Sequence, residues 1–371
     1  MVDLKNQYLN IKGEIDNAIN NTINSTQFIG GENIEKFKLL LQEYLNVKYV
    51  IPCANGTDAL QISLMALNLN QGDEIIVPAF TYVSTAEVIC LLGLKPIIID
   101  VDYYNFNTSI NHIEELITDK TKAIIPVHLF GQSSPMEDII NLASKFNLFV
   151  IEDNAQALGA DYIFSDGKRQ KLGTIGDIGC TSFFPSKNLG CFGDGGAIFT
   201  NNKDLGEKLT MICNHGQIKK YHHDIIGCNS RLDSIQAAIL NVKLKYLDSY
   251  NEERKKAAKK YNEDLKNIDE IETPKEVKYS THVYHQYTLK INNGKRDELK
   301  SYLNNKNIPS MIYYPIPLYK QRAFKKYVDN DFLLKNTEKL CQNVISVPIH
   351  TELKSSTQSH ITKTINSFFK K

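Results

Sequence analysis

Short runs of Ile, Val, Leu and Phe alternate along the first two-thirds of the chain with stretches whose apolar residues recur every three or four positions. The runs predict strands at Tyr49–Cys53, Ile75–Phe80, Pro96–Val101, Ala123–Leu129, Phe149–Asp153, Cys180–Phe184 and Gly196–Thr200. The longer period predicts helices at Asp58–Leu69, Thr85–Leu92, Met136–Phe146 and Leu205–Cys213, with two more near Ile11–Ile23 and Ile34–Tyr44. A continuous apolar strand such as Ile97-Ile98-Ile99 suits a sheet covered on both faces. Strand–helix alternation of this kind predicts an α/β fold around a mostly parallel sheet.

The pattern changes near residue 230. Ser230–Lys266 keeps helical spacing for longer than the usual run of about 8–20 residues, which predicts a connecting helix with a kink. A strand at Gln286–Ile291, a helix at Arg296–Lys306, an aromatic-proline stretch at Tyr313–Leu318 and an amphipathic helix near His360–Phe369 follow. The expected organisation is a large α/β domain over 1–245 and a smaller α+β domain over 246–371.

Composition narrows the class. The 371 residues are 42% hydrophobic and 23% charged, an ordinary globular profile. Forty-three Lys and Arg against 42 Asp and Glu leave a net charge of +1, a poor footprint for a nucleic-acid or membrane-surface binder. The basic stretch Arg254–Lys260 is preceded by Glu252 and Glu253 and reads as a solvated helix face. No apolar run reaches the ~18–20 residues of a membrane span. The start Met1-Val-Asp-Leu-Lys-Asn lacks the apolar stretch of a signal peptide. Seven scattered cysteines, none in a C-x-x-C pair, read as reduced thiols, so a soluble cytoplasmic enzyme is expected. His215, His222 and His223 cluster without a Glu or Cys to complete a ligand set, so no metal is expected.

Four segments could carry chemistry. Cys53-Ala-Asn-Gly-Thr-Asp58 joins a strand to a helix, where Gly56, Thr57 and free N–H groups suit a phosphate, although an ordinary helix cap has the same composition. Asp153 in Ile151-Glu-Asp-Asn-Ala-Gln156 stands at the carboxyl end of a strand, the edge where α/β sheets bind ligands. A carboxylate there can hold a protonated ring nitrogen, or simply start a turn. Lys187 follows a strand and precedes glycines 190, 193, 195 and 196; a partly desolvated lysine in such a loop can form a Schiff base, whereas most lysines are solvated. In Gly227-Cys-Asn-Ser-Arg-Leu-Asp233, Asn229 and Arg231 suit anionic oxygens, or cap and pair at a helix start.

Together CANGTDAL, FTYVSTAE, IEDNAQALGA, TSFFPSKNLGCFGDGGAIFTN and GCNSRLDSIQAAIL resemble, in order and spacing, the nucleotide-sugar aminotransferases of the DegT/StrS type. The resemblance runs from the N-terminus to the last helix. It implies a fold-type-I enzyme dependent on pyridoxal 5′-phosphate (PLP) and active as a homodimer with shared sites. By that resemblance Lys187 is the Schiff-base lysine, Asp153 holds the ring nitrogen and Gln156 meets the O3′ side. Gly56, Thr57, Ser182 and a partner's Asn229 grip the phosphate, and Tyr82 stacks on the ring. Arg231, Tyr313 and Tyr314 fall where the family contacts the nucleotide-sugar, with tyrosine at 313 where relatives carry histidine. The implied donor is L-glutamate. The implied acceptor is UDP-2-acetamido-2-deoxy-3-oxo-glucuronate, for bacterial surface polysaccharide, with a dTDP-linked 3- or 4-keto-6-deoxysugar as the alternative. Related sugar dehydratases replace the lysine with histidine, so Lys187 speaks against them. From another class, a non-catalytic binding protein on the same scaffold would not need the intact lysine, aspartate and phosphate loop.

Overall fold

Asn55 accepts the Asp58 N–H at 2.8 Å and starts the helix Gly56–Ala66 two residues after strand β1 (Tyr49–Cys53). Asn202 does the same for the helix Lys203–Cys213 in this computed structural model, which describes residues 1–111, 113–328 and 333–370. The further strands are β2 (Glu74–Pro78), β3 (Lys95–Ile99), β4 (Thr121–Ile124) and β5 (Phe149–Asp153). A hairpin of β6 (Asp161–Ile163) and β7 (Arg169–Lys171) leads to β8 (Ile178–Ser182) and β9 (Gly196–Thr200).

Seven of these strands pair in the order β1-β9-β8-β5-β4-β2-β3. The pairings β2–β3, β2–β4, β4–β5 and β5–β8 are parallel, whereas β9 runs antiparallel to both neighbours. The expected mostly parallel α/β sheet is present, with helices such as Gly56–Ala66 and Met136–Phe146 packed against it.

Three differences from the sequence pattern have local causes. The run Ala123–Leu129 is a regular strand only to Ile124, because Pro126 has no N–H for a ladder bond; beyond it the Ile125 N–H still reaches Ile76 O and Val127 bridges to Asp153. The hairpin β6–β7 was not anticipated: its strands are three residues long and largely polar, without an apolar run. The connecting helix begins at Ser234, where Asp233 accepts the Gln236 N–H at 2.9 Å. It breaks at a 3-10 turn, Leu244–Tyr246, before continuing as Leu247–Leu265, which is the expected kink.

After it come β10 (Ile271–Glu272), β11 (Tyr287–Ile291) and β12 (Val344–Val347), an antiparallel sheet around buried Tyr261, Leu289, Leu303, Ile345 and Ile365. The helices Arg296–Asn305 and Ser355–Phe369 cover it. Residues 313–328 do not stay with this second sheet. The Leu318 N–H donates to Ala79 O at 3.1 Å, and Leu318, Tyr319 and Phe324 enter the core beside the helix Gly56–Ala66. The aromatic-proline stretch is thereby laid over the carboxyl edge of the first sheet. No helix among the described residues is long and apolar enough to cross a membrane.

Candidate active site

Strand register sets one end of the site. Cys53 pairs with Gly196, and Gly196 pairs with Ser182, so three strand ends finish in one row. The helix start at Gly56 lies against that row: a Cβ on Gly56 would stand 2.8 Å from Ser182 Cβ. A Cβ on Gly196 would stand 2.4 Å from Asn55 O, so this turn closes only with glycine at both positions. The Ser230 hydroxyl donates to Asp58 Oδ2 at 2.6 Å and accepts the Ala54 N–H at 3.0 Å, tying the loop before the connecting helix to this turn. Free N–H groups and the positive end of the helix dipole make the place ready for a phosphate.

The end of β5 supplies the carboxylate. Asp153 is buried; its Oδ2 accepts the Thr85 hydroxyl at 2.9 Å and its Oδ1 accepts the Ala155 N–H at 3.2 Å. Each oxygen has two acceptor positions, so one on each remains for a ligand. On the other face of β5, Glu152 is fully buried and accepts the N–H groups of Gly173, Ile175 and Gly176 at 2.6 to 2.8 Å. His128 Nε2 meets the same carboxylate at 2.8 Å, and the His128 N–H donates to Asp153 O. These bonds hold the strand end that carries Asp153.

Lys187 lies five residues beyond Ser182, in a loop closed by the Lys187 N–H to Phe184 O and the Cys191 N–H to Phe183 O. Its side chain is half-buried. Burial lowers the amine to about 8, with the Asp153 carboxylate pulling weakly the other way. An amine so shifted is far more often neutral near physiological pH than a solvated lysine, and neutrality is what nucleophilic attack requires.

Gln156 Oε1 accepts the Phe130 N–H at 2.8 Å, and its Nε2 donates to the Tyr314 hydroxyl oxygen at 3.2 Å. The Tyr314 ring lies 5.8 Å from Phe80 and 6.5 Å from Tyr82, whose own ring is 56% exposed. Burial raises the Tyr314 phenol far above its ordinary value, so it remains a hydrogen-bond donor throughout the physiological range.

Gly56, Thr57, Tyr82, Asp153, Gln156, Ser182, Lys187, Tyr313 and Tyr314 line one cavity of about 910 Å³. That is room for a cofactor and part of a second ligand. Asn229 and Arg231 do not line it; both are exposed on the loop that leads to the connecting helix. The sequence reasoning missed Thr85, Ser230 and His285. Thr85 and Ser230 lie inside quoted motifs, but only tertiary contacts give them roles, and nothing local singles out His285. Among the described residues no three His, Cys, Asp or Glu side chains gather as metal ligands.

A cavity that joins a lysine, a buried carboxylate and a helix start, on a mostly parallel sheet, suits an enzyme of the PLP-dependent aminotransferase class. The chain belongs to the DegT/DnrJ/EryC1/StrS aminotransferase family, whose profile matches residues 9–366. It is 44% identical to the UDP-2-acetamido-2-deoxy-3-oxo-D-glucuronate aminotransferase of Pseudomonas aeruginosa, over 95% of each chain. It is 39% identical to the dTDP-3-amino-3,6-dideoxy-alpha-D-galactopyranose transaminase of Aneurinibacillus thermoaerophilus, over 99% of this chain and 98% of that one. The crystal structure of ntda from Bacillus subtilis with bound cofactor PMP superposes with a TM-score of 0.90 at 32% identity, covering 98% of this chain and 82% of that one. The family is PLP-dependent, and the protein is a sugar aminotransferase. The residues present fit the cofactor: the glycine-only turn leaves a cradle for its phosphate, and Asp153 keeps acceptor positions for its ring nitrogen.

Proposed function

We propose that the protein transfers the amino group of L-glutamate to a nucleotide-linked keto-sugar, with UDP-2-acetamido-2-deoxy-3-oxo-glucuronate as the first-choice acceptor. The observation that carries the site assignment is that Lys187, Asp153 and the start of the helix Gly56–Ala66 line the same cavity. The acceptor rests on the 44% identity to the Pseudomonas aeruginosa enzyme. In this reading the product serves a surface polysaccharide made from cytoplasmic precursors.

PLP, when bound, supplies an electron sink for the carbanion formed at the reacting carbon. The protein does the rest. The helix start at Gly56, with Thr57 and Ser182, would hold the phosphate, and Asp153 would keep a proton on the ring nitrogen. Gln156 and Tyr314 would orient the O3′ edge. Lys187 would hold the coenzyme through Nζ, and as a free amine it would take the proton from the donor α-carbon and return it as general acid. The same amine acts in reverse on the keto-sugar carbon.

In this reading two chains share each site. Asn229 and Arg231 are exposed and do not line their own cavity, and the stretch before them carries Tyr221 and Ile226, which are 79% and 88% exposed. A partner's cavity is where such groups find phosphate and sugar. The test is a panel of UDP- and dTDP-linked 3- and 4-keto sugars with glutamate as donor. Efficient turnover of the UDP-linked 3-oxo-uronate is expected; efficient dTDP-deoxysugar turnover with little uronate turnover would reverse the choice of acceptor.

A further inference from the structure

The wall behind Lys187 contains a chain of amide groups whose orientation is forced. Two backbone carbonyls, which can only accept, fix it. Asn251 Nδ2 donates to Leu158 O at 3.3 Å, leaving Asn251 Oδ1 to accept from Asn188 Nδ2 at 2.7 Å. Asn188 Nδ2 also donates to Val283 O at 3.0 Å, so its remaining polar atom, Oδ1, is an acceptor. That atom meets His285 Nδ1 at 3.3 Å. The imidazole proton must therefore sit on Nδ1, and Nε2 is left as a bare lone pair.

His285 is also kept neutral. It is 5% exposed, and Arg254 of the connecting helix lies against its backbone, donating from Nη1 to the carbonyls of Tyr284, His285 and Ile349 at 3.1 to 3.4 Å. Burial first, then the nearby charges of Lys187 and Arg254, hold the imidazole well below its ordinary titration range. The other titratable groups lining the cavity are Asp58, Tyr82, Asp153, Cys180, Asp194, Tyr313 and Tyr314.

Two polar atoms of opposite character thus share one cavity. His285 Nε2 and Lys187 Nζ each lack a hydrogen-bond partner among the described residues, and both side chains line the space where the coenzyme would lie. With or without Asp153 engaged by a ring nitrogen, the protonated amine gains from an acceptor inside the cavity, because a charge held away from solvent without a partner is costly.

We propose that His285 is the positioning residue for Lys187: its bare Nε2 accepts a hydrogen bond from Nζ whenever that nitrogen is protonated and not bonded to carbon. The role in turnover rests on the function proposed above, but the contact itself does not. An acceptor of this kind stabilises the ammonium form, so removing it lowers the pH at which Lys187 becomes neutral. Asn188 acts one step further back, by choosing which ring nitrogen carries the proton.

The experiment uses the full-length apoprotein. The pH midpoint of Lys187 acetylation, read by peptide mass spectrometry, is compared in wild type, His285→Phe and His285→Gln. The midpoint is expected to fall by about one unit in His285→Phe, roughly a tenfold gain in neutral amine below the midpoint. It should return toward wild type in His285→Gln, which restores a neutral acceptor. Nitrogen-15 NMR of histidine-labelled wild type should show the His285 proton on Nδ1, a readout that survives even if a variant fails to fold. An unchanged midpoint in folded His285→Phe, or a proton on Nε2, overturns the proposal. Because no coenzyme is present, these outcomes are separate from the function: a protein whose Lys187 never forms an imine would refute that reading and leave this contact standing.

Discussion

The Thr85 hydroxyl donates to Asp153 Oδ2 at 2.9 Å, inside the core and away from solvent. It points the carboxylate into the cavity from a helix that starts at Ser84, between β2 and β3. Thr85→Val keeps the shape and removes the donor. Because a hydrogen bond to a charged group contributes about 1.5–3 kcal/mol, turnover and coenzyme affinity should fall roughly 10- to 100-fold. Equilibrium dialysis and steady-state rates check this; unchanged values would mean the hydroxyl does not orient Asp153.

Lys187→Ala should leave a folded protein that binds coenzyme without covalent linkage. Borohydride reduction followed by peptide mapping should label Lys187 in wild type and nothing at that position in the variant. Turnover should be lost, since nucleophile and proton carrier are one atom. A variant with normal turnover would refute the assignment.

Burial leaves Lys187 with a folded pKa of about 8, below its ordinary 10.5. Between those values the unfolded chain binds more protons, so this group's contribution to stability rises with pH across the window from about 8 to about 10.5. Below about 8 the burial penalty is fully present. Apoprotein Lys187→Met should therefore exceed wild type in Tm most at neutral pH, and the gap should narrow toward pH 10.5. A gap independent of pH would show that the lysine is not desolvated.

Gly56→Ala places a methyl group 2.8 Å from Ser182 Cβ. One of the two backbones must move, at a cost of about 1–3 kcal/mol. Phosphate binding should suffer more than folding, because the shift falls on the helix start itself. Denaturant melts with and without added coenzyme separate the two effects.

Asn229 offers a test of the shared site. If it serves the partner's cavity, mixing inactive Lys187→Ala with weakened Asn229→Ala chains creates heterodimers with one intact site. Activity should rise on mixing above either variant alone. No gain, with subunit exchange verified by mass, would place Asn229 elsewhere.

Much of this site was legible because its chemistry sits in contiguous motifs. Asn55-Gly56-Thr57, Asp153 with Gln156, and Lys187 each lie at or within five residues of a strand end, and a strand end is readable from an apolar run followed by polar and glycine residues. Less was legible where one partner is remote: Ser230 reaches Asp58 across 172 positions, and the Gln156–Tyr314 pair spans 158. Tyr313 and Tyr314 could be tied to a sugar only through family resemblance. Their placement over the first sheet depends on Leu318 bonding back to Ala79.

The order of residues by itself determined the alternating α/β elements and set the glycine turn, Asp153 and Lys187 at or just beyond strand ends, because helix periodicity, capping and strand burial are local properties of the chain. Which groups meet was decided only in the tertiary structure. The row Cys53, Gly196 and Ser182, the hydroxyl on Asp153 and the meeting of Asn188 with His285 all depend on strand order, register and long-range packing, and these are set by burial of the whole core, not by any single segment.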